Sequence, residues 1–413
     1  MSDETFRDET DLPGSEDLGD IRLDELTGPL QAACDRAGWK SLVPVQARAI
    51  PYLLAGRDVM IQSRTGSGKT GAYLLPIMQK VDVHKKAAQA LVLVPTRELA
   101  LQVAAEAKLL AGDTEFKTAV VYGGVGYGAQ LEAFRQGAQL VVGTPGRILD
   151  HLLKDTLSLD NLRILVFDEA DRMLSMGFYP DMVKIRKYVP IGKIASSMFS
   201  ATYPPQVVRL ADQFLKSPRL LSLSGDQVHI AEIEHVFYAV PGMRKERSLV
   251  RIIEIENPAS AIIFCNTKDA VHYLCIVLKR FGYDADELSS DLAQTAREKV
   301  MARVRRGALR FLVATDVAAR GIDIPELTHV IQYEPPEDPE AYIHRAGRTG
   351  RMGSGGVAIS LVAEMEKFKL QSIARHYNIR MEERQLPGDE EVEQVVAQRV
   401  TALLEGRLRV RDN

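Results

Sequence analysis

The eight residues Ser63-Arg64-Thr65-Gly66-Ser67-Gly68-Lys69-Thr70 constrain the fold of this chain more than any other stretch. Residues 58–62 before them read as a short buried strand, and apolar residues recur at helical spacing over 69–80 behind them, so the glycines lie between strand and helix. Gly66 and Gly68 let successive backbone N–H groups curl toward one centre without a Cβ clash, and the helix N-terminus adds its partial positive charge. An anion fits there. In such a cradle Thr65, Gly66, Ser67 and Gly68 offer the loop, Lys69 reaches β and γ phosphates, and the Thr70 hydroxyl ligates a Mg²⁺ that bridges them. The strict pattern starts with Gly where this chain has Ser63, and the same residues also suit a strand-helix turn that binds nothing.

From residue 59 onward, short β-branched runs alternate with amphipathic segments: 91–94, 118–122, 140–142, 164–167 and 194–199. This is the rhythm of a parallel sheet covered by helices. Polar and glycine residues interrupt it after Pro218, and it restarts at 233–240, 261–264, 311–314, 329–332 and 357–361. With 413 residues the chain is long enough for two α/β domains. The division expected is an acidic disordered arm over 1–20, a first domain over 21–217, a linker over 218–230, a second domain over 231–383 and a helical extension over 384–413. The second domain carries no phosphate loop.

The formal charge is −3, but eight acids against Arg7 in the first twenty residues give that arm −7 and leave a mildly positive remainder. Any polyanion site is therefore local. No apolar run reaches the length of a membrane span and the N-terminus is acidic, which points to a cytoplasmic protein with no membrane partner. Cys34, Cys265 and Cys275 lie in apolar segments without metal spacing and read as buried thiols.

Asp168-Glu169-Ala170-Asp171 directly follows the apolar run 164–167. A carboxylate at the carboxyl end of a parallel strand stands where open α/β sheets bind ligands. Beside a phosphate loop, Asp168 would serve the Mg²⁺ shell and Glu169 would orient and deprotonate a water.

With these residues the chain resembles the DEAD-box ATP-dependent RNA helicases of bacterial type, and the resemblance continues in order over about residues 38–380. Pro95-Thr96-Arg97, Gly123-Gly124 and Thr144-Pro145-Gly146-Arg147 are similar to the family's RNA motifs of the first domain. Asn266, Gln294 with Arg297, and Thr315 resemble those of the second. The resemblance implies two tandem RecA-like parallel-sheet domains joined by a flexible linker, ATP and Mg²⁺ as cofactors, and RNA as partner. It further implies that Gln46 reads adenine, that Asp323 holds the ribose, and that Arg348 and Arg351 act as arginine fingers. Asp171, Ser200, Thr202, Asp316, Arg320, His344 and Arg345 would couple the domains. In this picture ATP gathers the halves, the closed form bends single-stranded RNA, and hydrolysis resets it, so strand separation is local.

The chain departs from the family pattern where Leu42 and Val43 replace Pro and Thr before Gln46, where Ile21 stands in place of an upstream aromatic, and at Ser289-Ser290-Asp291. Past Pro387 the residues Val392, Val395, Val396, Val400, Leu403, Leu404 and Leu408 share one helical face, which suits packing on the second domain or a homodimer. Two other readings stay open, an ATP-gated RNA clamp and a DNA translocase. The RNA and its setting, such as ribosome assembly or RNA decay, are not legible in the residues.

Overall fold

The computed structural model describes residues 17–63, 67–192, 194–223, 233–289, 291–292, 294–319, 327–350 and 355–411. The chain forms two compact units, residues 1–224 and 225–413. The sheet of the first contains β1 (Val59–Gln62), β2 (Ala90–Leu93), β3 (Thr118–Val121), β4 (Leu140–Gly143), β5 (Ile164–Asp168), β6 (Ala195–Ser200) and β7 (Arg219–Ser222). They lie in the order β3-β4-β2-β5-β6-β1-β7, parallel throughout.

The sheet of the second unit contains β8 (Ile233–Ala239), β9 (Ala261–Phe264), β10 (Ala285–Leu288), β11 (Phe311–Ala314), β12 (His329–Gln332), β13 (Gly356–Val362) and β14 (Met381–Arg384). Their order, β10-β11-β9-β12-β13-β8-β14, repeats the first wiring strand for strand, again all parallel. A parallel sheet needs helical crossovers on both faces, so its central strands are apolar at every position. Within β1, Val59 and Ile61 join one core while Met60 joins the other. Ile263 and Ile262 split in the same way across the second sheet.

Residues 219–222, assigned from sequence to the linker, are instead β7, paired in parallel with β1. Its edge position explains the miss: only Leu221 of its four residues is buried, so no apolar run marks it. The exposed edge strand β14, Met-Glu-Glu-Arg, is hidden for the same reason. Residues 17–20, expected in a disordered arm, are anchored. Asp17 accepts from the Tyr52 hydroxyl at 2.6 Å and pairs with Arg48 at 2.7 Å, and these bonds hold its carboxyl at about 2.

The C-terminal residues Asp389–Arg411 form one helix. It runs along the helix Lys245–Glu256, with Arg251 on Asp389 at 2.6 Å and Arg399 on the Glu254 carbonyl at 2.6 Å. Val392, Val395 and Val396 are half-buried there, and Val400 is exposed. Among the described residues no helix is long and apolar enough to cross a membrane.

Candidate nucleotide and nucleic-acid site

The phosphate loop leaves the carboxyl end of β1 and returns into the helix Lys69–Lys80. Gly68 caps that helix at φ +93°, a left-handed conformation that costs a side chain dearly. Ser63 is not among the left-handed residues. Its N–H donates to the Ser200 carbonyl at 2.9 Å, and its hydroxyl meets that of Ser67 at 2.6 Å. Serine therefore fills the usual glycine position by closing the loop with a side-chain bond. Lys69 is buried and donates to the Ser63 carbonyl at 3.1 Å. Thr65 and Gly66 lie outside the described residues.

Gln46 braces the same loop from beneath. Its Oε1 accepts from the Val43 N–H at 3.1 Å and its Nε2 donates to the Gly68 carbonyl at 3.2 Å. The residue is 4 % exposed, and each end of its amide is bonded to one backbone group, which leaves a second lone pair on Oε1 and a second N–H on Nε2. Val43, lacking the hydroxyl of threonine, supplies a backbone donor and a methyl against Gly68. Ile21 packs on the first core.

Asp168 ends β5 and is 2 % exposed. Burial pushes its carboxyl up to about 6, against the pull of Lys69. Its Oδ2 accepts from the Tyr73 hydroxyl at 2.9 Å, whereas its Oδ1 is buried with no hydrogen-bond partner among the described residues. A buried carboxylate oxygen with no donor is a poor resting place for charge unless a cation or its water shell completes it. Together with the helix-terminal hydroxyl of Thr70, this donor set fits Mg²⁺. Glu106, from the helix Arg97–Ala111, completes the cluster. Burial, then the charge of Asp168, raises its carboxyl to about 7, while a hydrogen bond from Thr70 partly offsets them.

Glu169 follows Asp168 in a left-handed conformation, φ +55°, and meets Arg172 at 2.6 Å. Asp171 N–H donates to the Ser200 hydroxyl at 3.1 Å. Its Oδ2 accepts from both the Thr202 N–H and hydroxyl at 3.2 Å. These three residues, expected to act together, are brought into one network within the first unit.

The remaining strand ends carry the other motifs. Pro95 and Thr96 follow β2, and the Thr96 hydroxyl caps the next helix at the Leu99 N–H, 3.3 Å away. Arg97 lies over the Tyr122 ring at 5.0 Å. Gly123 and Gly124 follow β3 and are exposed, with Gly124 at φ +80°. Thr144, Pro145, Gly146 and Arg147 follow β4. Arg147 donates twice to the Val125 carbonyl at 3.1 Å and stacks 4.5 Å from Tyr127, so it braces the glycine loop. Strand order thus sorts the edge, with β3-β4-β2 bearing the expected RNA motifs and β5-β6-β1 the expected ATP motifs.

In the second unit, Arg345 is 1 % exposed. It donates to Asp316 at 2.8 and 2.7 Å, to the Glu334 carbonyl at 2.7 Å and to Asn266 Oδ1 at 2.7 Å. Asp316 and Arg345, assigned to coupling between domains, spend these bonds inside the second unit, and Asn266 shares in them. The guanidinium clasps the carboxyl ends of β9, β11 and β12. Thr315 caps the helix Asp316–Ala319, and Arg297 donates to the Ala318 carbonyl at 3.0 Å. Arg348 is buried with its Nε on the His344 carbonyl at 3.3 Å. Asp323, Arg320, Arg351 and the side chain of Gln294 lie outside the described residues.

Sequence reasoning passed over Tyr73, Glu106 and Arg172. Glu106 had a signal, since it interrupts the buried stripe Val103, Ala107 and Leu110 of its helix. Tyr73 had none, because a tyrosine in an apolar helix reads as core.

A doubly wound parallel unit whose phosphate loop and strand-end acids meet at one sheet edge defines a P-loop nucleotide hydrolase. Residues 43–210 match the DEAD/DEAH box helicase family and residues 244–353 the helicase conserved C-terminal domain. The chain is 38% identical over 388 residues to the DEAD-box ATP-dependent RNA helicase CshA of Bacillus subtilis, spanning 93% of this chain and 78% of that one. It is 40% identical over 362 residues to CshA of Geobacillus kaustophilus, spanning 88% and 77%. Among solved structures, S. cerevisiae Dbp5 bound to RNA and ADP BeF3 superposes with a TM-score of 0.79 at 29% identity, covering 91% of this chain and 97% of that one. Mss116p bound to ssRNA and AMP-PNP gives 0.79 at 26%, covering 95% and 87%. The chain belongs to the DEAD-box ATP-dependent RNA helicases, enzymes that hydrolyse ATP under RNA stimulation.

Proposed function

We propose that ATP binds with Mg²⁺ at the ends of β1, β5 and β6, and that RNA lies across the ends of β3, β4 and β2 and of the strands of the second unit. The observation that carries the first half is Asp168 itself, whose Oδ2 is bonded to Tyr73 of the phosphate-loop helix and whose Oδ1 is buried with no hydrogen-bond partner among the described residues. Thr70 and Asp168 would hold Mg²⁺, largely through water, and the ion supplies charge neutralisation on the β and γ phosphates. Lys69 binds the same phosphates as a point charge. Glu169 accepts the proton of the attacking water. Arg348 and Arg351 meet the charge that develops on the γ-phosphate, and Asp323 holds the ribose. The glycine pair and the strand-end amides grip the RNA backbone without reading bases, which suits local, non-processive strand separation in the cytoplasm. RNA ligands could belong to ribosomal or decay assemblies equally well on this chemistry.

Lys69→Ala is expected to abolish both hydrolysis and nucleotide-dependent RNA binding; an RNA grip that still responds to ATP overturns the cradle assignment. ATPase stimulation by RNA and DNA of equal length separates the helicase from a DNA translocase, and strand displacement on a short duplex separates it from an ATP-gated clamp.

A further inference from the structure

Glu169 is an N-cap with an unusual backbone. Its φ +55° and ψ +54° place a non-glycine residue in the left-handed region, before a helix of only six residues, Ala170–Ser175. The carboxylate is thereby turned onto its own first turn, where Arg172 Nη1 donates to Oε2 at 2.6 Å. The two side chains are 8 % and 6 % exposed. An ordinary pair three residues apart on a helix is solvated and supports the helix weakly. This one is buried, at the mouth of a strand end, and joins two networks. The Arg172 N–H donates to Asp171 Oδ1 at 2.8 Å, and Asp171 in turn holds Thr202 and Ser200.

We propose that Arg172 is a positioning residue for hydrolysis, holding the Glu169 carboxylate at the carboxyl end of β5 in the orientation that addresses the attacking water. The inference rests on Glu169 being the base. A buried carboxylate deprived of its cation turns toward water or another donor, and a base displaced by an ångström loses much of its rate. Because Arg172 acts through Glu169, its removal reduces turnover and leaves ground-state binding of nucleotide and RNA alone.

The test is RNA-saturated steady-state hydrolysis by the full chain, with equilibrium binding of a fluorescent ATP analogue and of RNA measured on the same preparations. Arg172→Gln is expected to lower kcat about 10- to 100-fold with KM and both affinities within about 2-fold of the parent. Arg172→Lys keeps the charge without the planar fork and loses about 3- to 10-fold. Combined with Glu169→Gln, Arg172→Gln adds nothing further, since it has no carboxylate left to hold. A parent-like kcat in Arg172→Gln, parallel loss of affinity and turnover, or full additivity with Glu169→Gln overturns the proposal. Should the Gln variant not fold, the Lys variant decides by the same split between kcat and KM. If Glu169→Gln alone keeps the parent rate, the base assignment falls and this proposal with it; a crippled Glu169→Gln beside an unaffected Arg172→Gln overturns this proposal alone.

Discussion

Gln46 shows how one side chain ties a loop to a helix. Its two bonds, to the Val43 N–H and the Gly68 carbonyl, hold the phosphate loop against the helix Pro44–Leu54. Each is worth about 1 kcal/mol, so Gln46→Ala is expected to weaken nucleotide binding about 10-fold or more, equally for ATP and GTP. Titrating both nucleotides checks this: an equal loss assigns the effect to the brace, and a loss confined to ATP assigns it to adenine reading. Glu106 makes a pH prediction. Its carboxyl titrates near 7 in the fold, against an ordinary value of 4.5. The unfolded chain releases this proton first, so the stabilisation is present below about 4.5 and is lost as pH rises toward 7. The loss is on the order of 2 kcal/mol once partial exposure is discounted. Thermal unfolding of nucleotide-free protein between pH 4.5 and 7.5 should show this decline for the first unit, and Glu106→Gln should make it shallower, leaving the part that belongs to Asp168, whose carboxyl is raised to about 6. An unchanged profile in the variant would place the titration elsewhere.

At the scale of elements, the helix Lys69–Lys80 depends on what approaches Gly71. A Cβ there would collide with the Trp39 ring and lie 2.7 Å from Gln46 Nε2. Trp39 packs against the first core, so it has little room to retreat. Gly71→Ala should therefore destabilise by about 1–3 kcal/mol although alanine is the better helix former, and it should loosen the Gln46 brace with it. A stabilised variant in a denaturant titration would contradict this packing. The edge strand β14 depends on Arg384, which meets Glu234, Glu256 at 2.9 Å and Glu382 at 3.1 Å. Arg384→Ala is expected to cost only about 1 kcal/mol globally, because the guanidinium is partly solvated. It should speed amide exchange across 381–384 much more, and protection equal to the parent would show that the backbone ladder alone secures the strand.

At the scale of the molecule, each unit has its own cores and its own seven-stranded sheet, so residues 17–223 should fold alone and bind nucleotide without RNA-stimulated turnover. Isolated expression and calorimetric titration check this, and an unfolded or nucleotide-blind fragment would refute it. The two α/β domains, the phosphate loop and the Asp-Glu strand end were legible in the sequence, because buried parallel strands are apolar at every position and glycine spacing has few other uses. Edge strands β7 and β14 were not, since a strand paired on one side and solvated on a face needs no apolar run. Nor were Arg172, Tyr73 and Glu106, whose partners stand up to 95 residues away in Asp168 and Tyr73, or lie in a backbone turn no composition announces. The sequence by itself determined which residue types stand at each strand end. Only the tertiary structure decided the order in which those ends lie side by side, and so which arginines brace a loop, as Arg147 and Arg345 do. Strand order is set by how crossover helices bury both faces of a sheet, a contest among long-range packings that local residue patterns do not encode.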